Sequence, residues 1–167
     1  KDSVASSYPR FKSYQSDLTI NGLSDENVKY HGGFSLVGPR ISSSSAMGEE
    51  ATIEVFNKGS KKFQAKSADF TFNEKSIVAS KAKISILQGN DSIVHSLVRM
   101  KYSFENDSTQ KLLLMKDKGD MRNAPYAASF FGVDFTADIL RWDLNSDSLN
   151  IQTDGGRNIV PMIIESN

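Results

Sequence analysis

The sequence predicts an all-β fold of many short, mostly antiparallel strands, and three observations carry that prediction. Apolar residues recur at every second position in run after run, the period of a strand with one face buried. Clusters of Gly, Asn, Asp and Ser separate the runs; glycine accepts positive φ, and short polar side chains bond the local backbone, so these clusters form turns. Helical signal is confined to one short segment.

The strand pattern runs through Leu18 and Ile20, Phe34 and Leu36, and Ala51, Ile53 and Val55. It continues through Ala68, Phe70 and Phe72, then Ala82, Ile84 and Ile86, then Val98, Met100, Tyr102 and Phe104. The Ser-rich stretch ISSSSAMGEE, 41–50, lies between two such runs and reads as a loop or an edge strand, not a linker between domains. NAPYAASFFG, 123–132, sets Asn before an Ala-rich run with Pro125 near its start, so at most one short helix is expected near 124–131. Beyond it Val133, Phe135, Ala137 and Ile139 share one face and Leu140, Trp142 and Leu144 the other, which predicts a bulge near Ile139 and Leu140 or a strand covered on both faces.

Four segments resemble one another: FNEKSIV at 72–78, QGNDSIV at 88–94, FENDSTQ at 104–110 and LNSDSLN at 144–150. Ser76, Ser92 and Ser108 are spaced sixteen apart, the length of a strand, a turn and a strand. Such a unit suits either a meander, sandwich or jelly roll, in which each turn closes a hairpin, or stacked rungs that form an open groove.

At 167 residues the chain reads as one all-β domain, 1–167, large enough to bury a core without staples. It opens at Lys1 with no initiator Met or signal peptide, so it is expected to be a piece of a longer protein. Formal charge is zero with both signs interleaved, which argues against nucleic acid. No apolar run approaches the roughly 18 residues of a membrane helix. The absence of cysteine removes thiol nucleophiles, disulfides and Cys-based zinc sites.

QGNDSIVHSL, 88–97, gathers Asp91, Ser92 and His95 in a chain with two histidines. A hydrolase triad is a spatial arrangement and not a local one, and no GxSxG elbow occurs, so the stretch reads as a turn followed by a strand with no catalytic residue. His31, in VKYHGGFSL, precedes an expected tight turn at Gly32 and Gly33; a metal there needs further ligands, which His95 could supply only if the two met in space. The best metal candidate is DLNSDSLNIQTD, where Asp143, Asn145, Asp147 and Asp154 occupy positions 1, 3, 5 and 12 of a calcium loop, although Ser148 replaces the bend glycine and strands replace the helices. The two NDS triplets, 90–92 and 106–108, match the glycosylation acceptor pattern and mark exposed turns. Trp142, in a strongly apolar strand, reads as core before it reads as a sugar platform.

Taken together, YPRFKSYQSDL, KYHGGFSLVGPRISSSS, QGNDSIVHSL, NAPYAASFFGVDF, RWDLNSDSLNI and NIVPMIIESN resemble stretches of the very large cell-envelope proteins of Bacteroidetes-type bacteria. That resemblance implies export to the periplasm or outer envelope of a Gram-negative cell, and partners in the rest of a longer chain; it brings no catalytic residues. In KSADFTF, SIVASKAKISIL and SLVRMKYSF the alternation of strands and polar turns is similar to the lipopolysaccharide-transport periplasmic proteins. This second likeness implies an apolar groove for lipid or glycolipid lined by Phe70, Phe72, Ile84, Ile86, Met100, Tyr102 and Phe104, residues that in a closed sandwich are simply core. The expected role is therefore a noncatalytic scaffold or interaction module with no required cofactor. A lipid groove is the alternative, followed by a carbohydrate-binding module or a hydrolase whose carboxylates the sequence does not reveal.

Overall fold

The computed structural model describes residues 9–45, 47–105, 109–116, 124–153 and 163–166. Over them the chain is all-β, and every strand pair is antiparallel. The hydrogen-bonded sheet is continuous but divides into two arms that share one long central hairpin. The chain lays down strands in each arm alternately.

β1 (Arg10–Lys12) lies in the first arm, β2 (Thr19–Asn21) and β3 (Val28–His31) in the second, and β4 (Phe34–Val37) and β5 (Arg40–Ser43) again in the first. The second arm then receives β6 (Ala51–Asn57) and β7 (Ser60–Ser67), and the first receives β8 (Thr71–Asn73). The central hairpin, β9 (Ser76–Gln88) and β10 (Asp91–Phe104), runs through both. β11 (Gln110–Lys116) follows in the first arm, β12 (Tyr126–Ala128) and β13 (Val133–Phe135) in the second, β14 (Ile139–Asp143) and β15 (Leu149–Gln152) in the first, and β16 (Ile164–Ser166) in the second.

One edge of β9 pairs β8 through Ser76 to Val78 and β7 through Lys83 to Ile86. The outer edge of β10 is divided likewise, between β12 at Ile93 and Val94 and β11 from Val98 to Phe104. Two compensating bulges let the hairpin bend between these halves. From Ala79↔Met100 to Ala82↔Val98, β9 advances three residues while β10 advances two; from there to Ile84↔His95 the excess passes to β10. Each extra residue reverses the alternation, so Ile77 and Ala79 are buried before the first bulge and Ala82, Ile84 and Ile86 after it. The same apolar face therefore stays inward through the bend.

The arms close on one another as a sandwich. Tyr30 of β3 meets Phe72 of β8 edge-on at 5.2 Å, and Phe63 of β7 meets Tyr102 of β10 at 5.5 Å. Asn57 Nδ2 donates across the interface to Gln110 Oε1 at 2.7 Å, both residues being buried, and the Tyr102 hydroxyl donates to Asp25 Oδ2 at 2.8 Å. Fully burying each such large side chain contributes about 1.5–3 kcal/mol. The turns of three of the four lookalike segments lie at hairpin tips, as in the sandwich alternative: Asn73↔Ser76, Gln88↔Asp91 and Trp142↔Leu149 are closing pairs, and in the third segment Phe104 pairs Gln110. The NDS of the third copy, 106–108, lies outside the described residues.

Two local expectations are corrected, at Gly32 and Gly33 and before Trp142. Gly32 and Gly33 do not close a hairpin but carry the chain from β3 in one arm to β4 in the other. They are glycines for lack of room: a Cβ on Gly32, at φ 152°, would stand 2.5 Å from Ala51 Cβ, and one on Gly33 would stand 2.2 Å from the Ser44 carbonyl oxygen. The phase change before Trp142 is not a bulge. It marks a second crossing, where Thr136, Ala137 and Asp138 pass from β13 to β14, and Thr136 N–H and Asp138 N–H donate to Ile163 O and Gln152 O, both at 3.1 Å. Within NAPYAASFFG, Tyr126 to Ala128 are strand, and only a 3-10 turn, Phe130–Gly132, follows; Asn123 lies outside the described residues. The Ser-rich stretch divides into β5, held between β4 and β8 and so not an edge, and a loop returning to the second arm.

Candidate functional site

His95 is a structural residue of the bend. Its ring is buried and lies 4.4 Å from that of Tyr126. The Leu97 N–H, freed from the ladder by the β10 bulge, donates to His95 Nδ1 at 3.0 Å, so the proton sits on Nε2, which donates to the Ala124 carbonyl at 3.0 Å. Burial holds the imidazole below its ordinary pKa, the Ala124 carbonyl pulling the other way and the Lys116 charge adding to the depression. Ser92 lies three positions away along the strand and so on the opposite face. Its backbone N–H donates to Ser129 Oγ at 2.8 Å, while the Ser129 hydroxyl donates to Asp91 Oδ1 at 3.0 Å, which ties the hairpin tip to the turn after β12. His31 lies on β3, separated from the central hairpin by β6 and β7, so three strand spacings of about 4.8 Å each keep it from the nearest central strand and from His95 beyond. Its Nδ1 instead meets Thr19 Oγ1 at 3.1 Å.

The calcium-like segment forms the β14–β15 tip. Asp143 Oδ1 accepts from the Asn145 N–H at 3.0 Å, Ser146 N–H donates to Asp143 O at 2.8 Å, and Asn145 Oδ1 accepts from Asn57 Nδ2 at 3.3 Å. These are the bonds of a polar turn docked on the opposite arm. Asp147 is exposed, and Asp154 lies outside the described residues. Among the described residues no group of three or more His, Cys, Asp or Glu side chains is gathered as a metal would need.

Phe70, Phe72, Ile84, Ile86, Met100, Tyr102 and Phe104 all belong to the buried core, each at most 7% exposed, so they pack between the arms and do not line an open trough. Ile86 alone of the seven also reaches the cleft described next.

That cleft, of about 180 Å³, lies where the tips of the two arms meet. Ile86 and Ile93 of the central hairpin and Trp142 and Leu149 of the β14–β15 hairpin form its apolar walls, with Phe130, 55% exposed, at the edge. Lys62, Gln88, Asp91, Ser92, Ser146 and Asp147 supply polar groups around them. Trp142 is core and wall at once: it is 8% exposed, and its indole N–H is already committed to the Ser146 carbonyl at 2.9 Å, which leaves ring surface facing the cleft. Among the described residues the side chains of Lys62, Gln88 and Asp147 make no hydrogen bond or ion pair. Sequence reasoning missed this site because its members are scattered from position 62 to 149, and only the convergence of tips from different hairpins unites them. The one local clue was FFG, an aromatic pair set in a turn. No protein-family model, curated protein or solved structure matches the chain.

Proposed function

We propose that the chain is a noncatalytic interaction module of an exported bacterial envelope protein and that it meets its partner at the cleft between the arm tips. The observation that carries this reading is a division of labour among polar side chains. His95, Asp91, Asp143 and Asn57 are engaged in holding bends, tips and arms together. Lys62, Gln88 and Asp147 surround an apolar-walled cleft and hold nothing in place. A concave apolar site with a few convergent polar groups is the ordinary form of a binding site. The closed core favours this over a lipid trough, since the residues that would line the trough are packed against the facing arm. The envelope setting rests on the sequence resemblance.

The test is co-sedimentation of the purified chain with outer-membrane and cell-wall fractions of a Gram-negative bacterium, with Ser146→Trp as a cleft-filling variant. Retention of the natural chain and loss of retention by the variant is the expected result; equal retention of both, or none by either, would overturn the reading. Fractionation of cells producing the full-length protein checks its export.

One observation favours a second reading. Asp91 and Asp147 both border the cleft, and a glycosidase uses two carboxyl groups roughly 5–10 Å apart. Asp147 is exposed and Asp91 holds Ser129, whereas a catalytic acid needs dry surroundings. Release of reducing ends from envelope polysaccharide, abolished by Asp91→Asn, would establish the enzyme.

A further inference from the structure

Resting on the binding reading above, we infer that the cleft takes a single pyranose ring of a glycan. Size is the first argument. An engineered apolar cavity of about 150 Å³ holds a benzene molecule, so a cleft of about 180 Å³ has room for one six-membered ring and little more. An acyl chain is longer than such a site, and a peptide side chain would bring a backbone whose N–H and C=O groups need partners of their own.

The distribution of chemistry is the second argument. A pyranose presents C–H groups on its faces and hydroxyls around its rim. The cleft offers the complement, with aromatic and aliphatic surface from Trp142, Leu149 and Phe130 and, around it, the uncommitted Lys62, Gln88 and Asp147. Between them these three supply donors of both charged and amide type and two kinds of acceptor, a set that sugar hydroxyls satisfy by donating and accepting at once. An acyl chain answers none of them. The third argument is preorganisation. Trp142 is fixed by packing and by its bond to Ser146, and the hairpin tip beside it by the Asp91, Ser129 and Ser92 bonds, so little ordering remains to oppose a small ligand.

The chain contains one tryptophan, so its fluorescence reports on the cleft directly. The folded chain is titrated with the methyl glycosides of glucose, galactose, mannose and N-acetylglucosamine, with sodium octanoate as an acyl probe, and is also applied to a printed glycan array. A saturable change with at least one sugar is expected, weakened about fivefold to tenfold by Phe130→Ala, in line with the worth of one aromatic contact, and weakened likewise by Asp147→Asn or Lys62→Met. Phe130, at 55% exposed, is not one of the buried core residues. Silence from all sugars and the array, saturation by octanoate alone, or a sugar response indifferent to all three substitutions would overturn the inference. Envelope retention that Ser146→Trp abolishes, together with silence toward sugars, would overturn the pyranose and leave the binding module standing; silence toward sugars with no retention of the natural chain would remove both.

Discussion

Replacing His95 by Phe separates what the imidazole bonds contribute from what its ring volume contributes. Phe keeps an aromatic body against Tyr126, 4.4 Å away in the native chain, but leaves the Leu97 N–H and the Ala124 carbonyl without their partners. A buried polar group deprived of its partner costs about 1–3 kcal/mol; both sites are partly buried, so the lower half of that range applies twice, giving a loss of about 2–4 kcal/mol. Against a total of about 5–15 kcal/mol for a domain, the shift is large. Urea unfolding followed by Trp142 fluorescence measures it. The pH dependence supplies a second signature. The folded imidazole titrates below the ordinary value of 6.5, so between the folded value and 6.5 the unfolded chain binds more protons. The stability due to neutral His95 is therefore complete above pH 6.5 and drains away as the pH falls from 6.5 through the folded value. The Phe variant should lack this component of the difference between about pH 8 and about pH 5. A variant that loses under about 0.5 kcal/mol, or keeps the native pH slope, would refute the account of the bulge.

Gly33→Ala drives a Cβ into the Ser44 carbonyl at 2.2 Å and should cost more than about 3 kcal/mol or abolish folding, whereas Gly89→Ala, with open space around it at φ 62°, should cost about 1–2 kcal/mol; thermal melts compare them. Asn57→Leu leaves Gln110 buried without its donor and should lose about 1–3 kcal/mol, while Asn57→Leu with Gln110→Leu recovers most of it, as a double-mutant cycle would read. Burial raises the Tyr30 hydroxyl to about 12 and raises that of Tyr126 as well, the latter helped by the Asp138 charge; the stability this confers is complete below pH 10.0 and falls as pH rises above it, and ultraviolet absorbance should show two tyrosines ionising late. Calcium at about 1 mM should leave the melting temperature unchanged, because Asp143 is engaged by the Asn145 amide and Asn145 by Asn57; a rise in melting temperature that Asp143→Asn abolishes would reinstate the calcium loop.

Alternation made the strands legible, and for a physical reason: a half-buried strand needs its apolar residues at period two whatever its neighbours are. Hence Ile53 and Val55, or Met100, Tyr102 and Phe104, could be assigned to a core before the partner was known. Sheet switching was not legible. Gly32 and Gly33 look like a hairpin turn because the same freedom at glycine serves a turn or a corner, and only the packing of Ala51 and Ser44 against them decides which. The phase change before Trp142 was visible, but a bulge and a crossing leave the same trace in a pattern. Tyr126 and Ala128 read as helical beside Pro125 and became strand because the edges of β10 and β13 were there to pair with them. The cleft joins the tips of hairpins laid down far apart in the chain, and no local pattern encodes the meeting of Lys62, Phe130 and Trp142.

Because successive hairpins and single strands are dealt alternately to the two arms, the molecule is interwoven. Neither arm can be cut out as a continuous stretch of chain, and neither can unravel without drawing strands from the other, so unfolding should be one cooperative event in spite of the two-layered form. The long central hairpin is the local piece that can form early, its two strands being adjacent in sequence, and the remaining hairpins add to its flanks. Such a domain joined to others in a longer chain would resist proteolytic trimming at its crossings and yield first at its tips, where the turns stand clear of the weave.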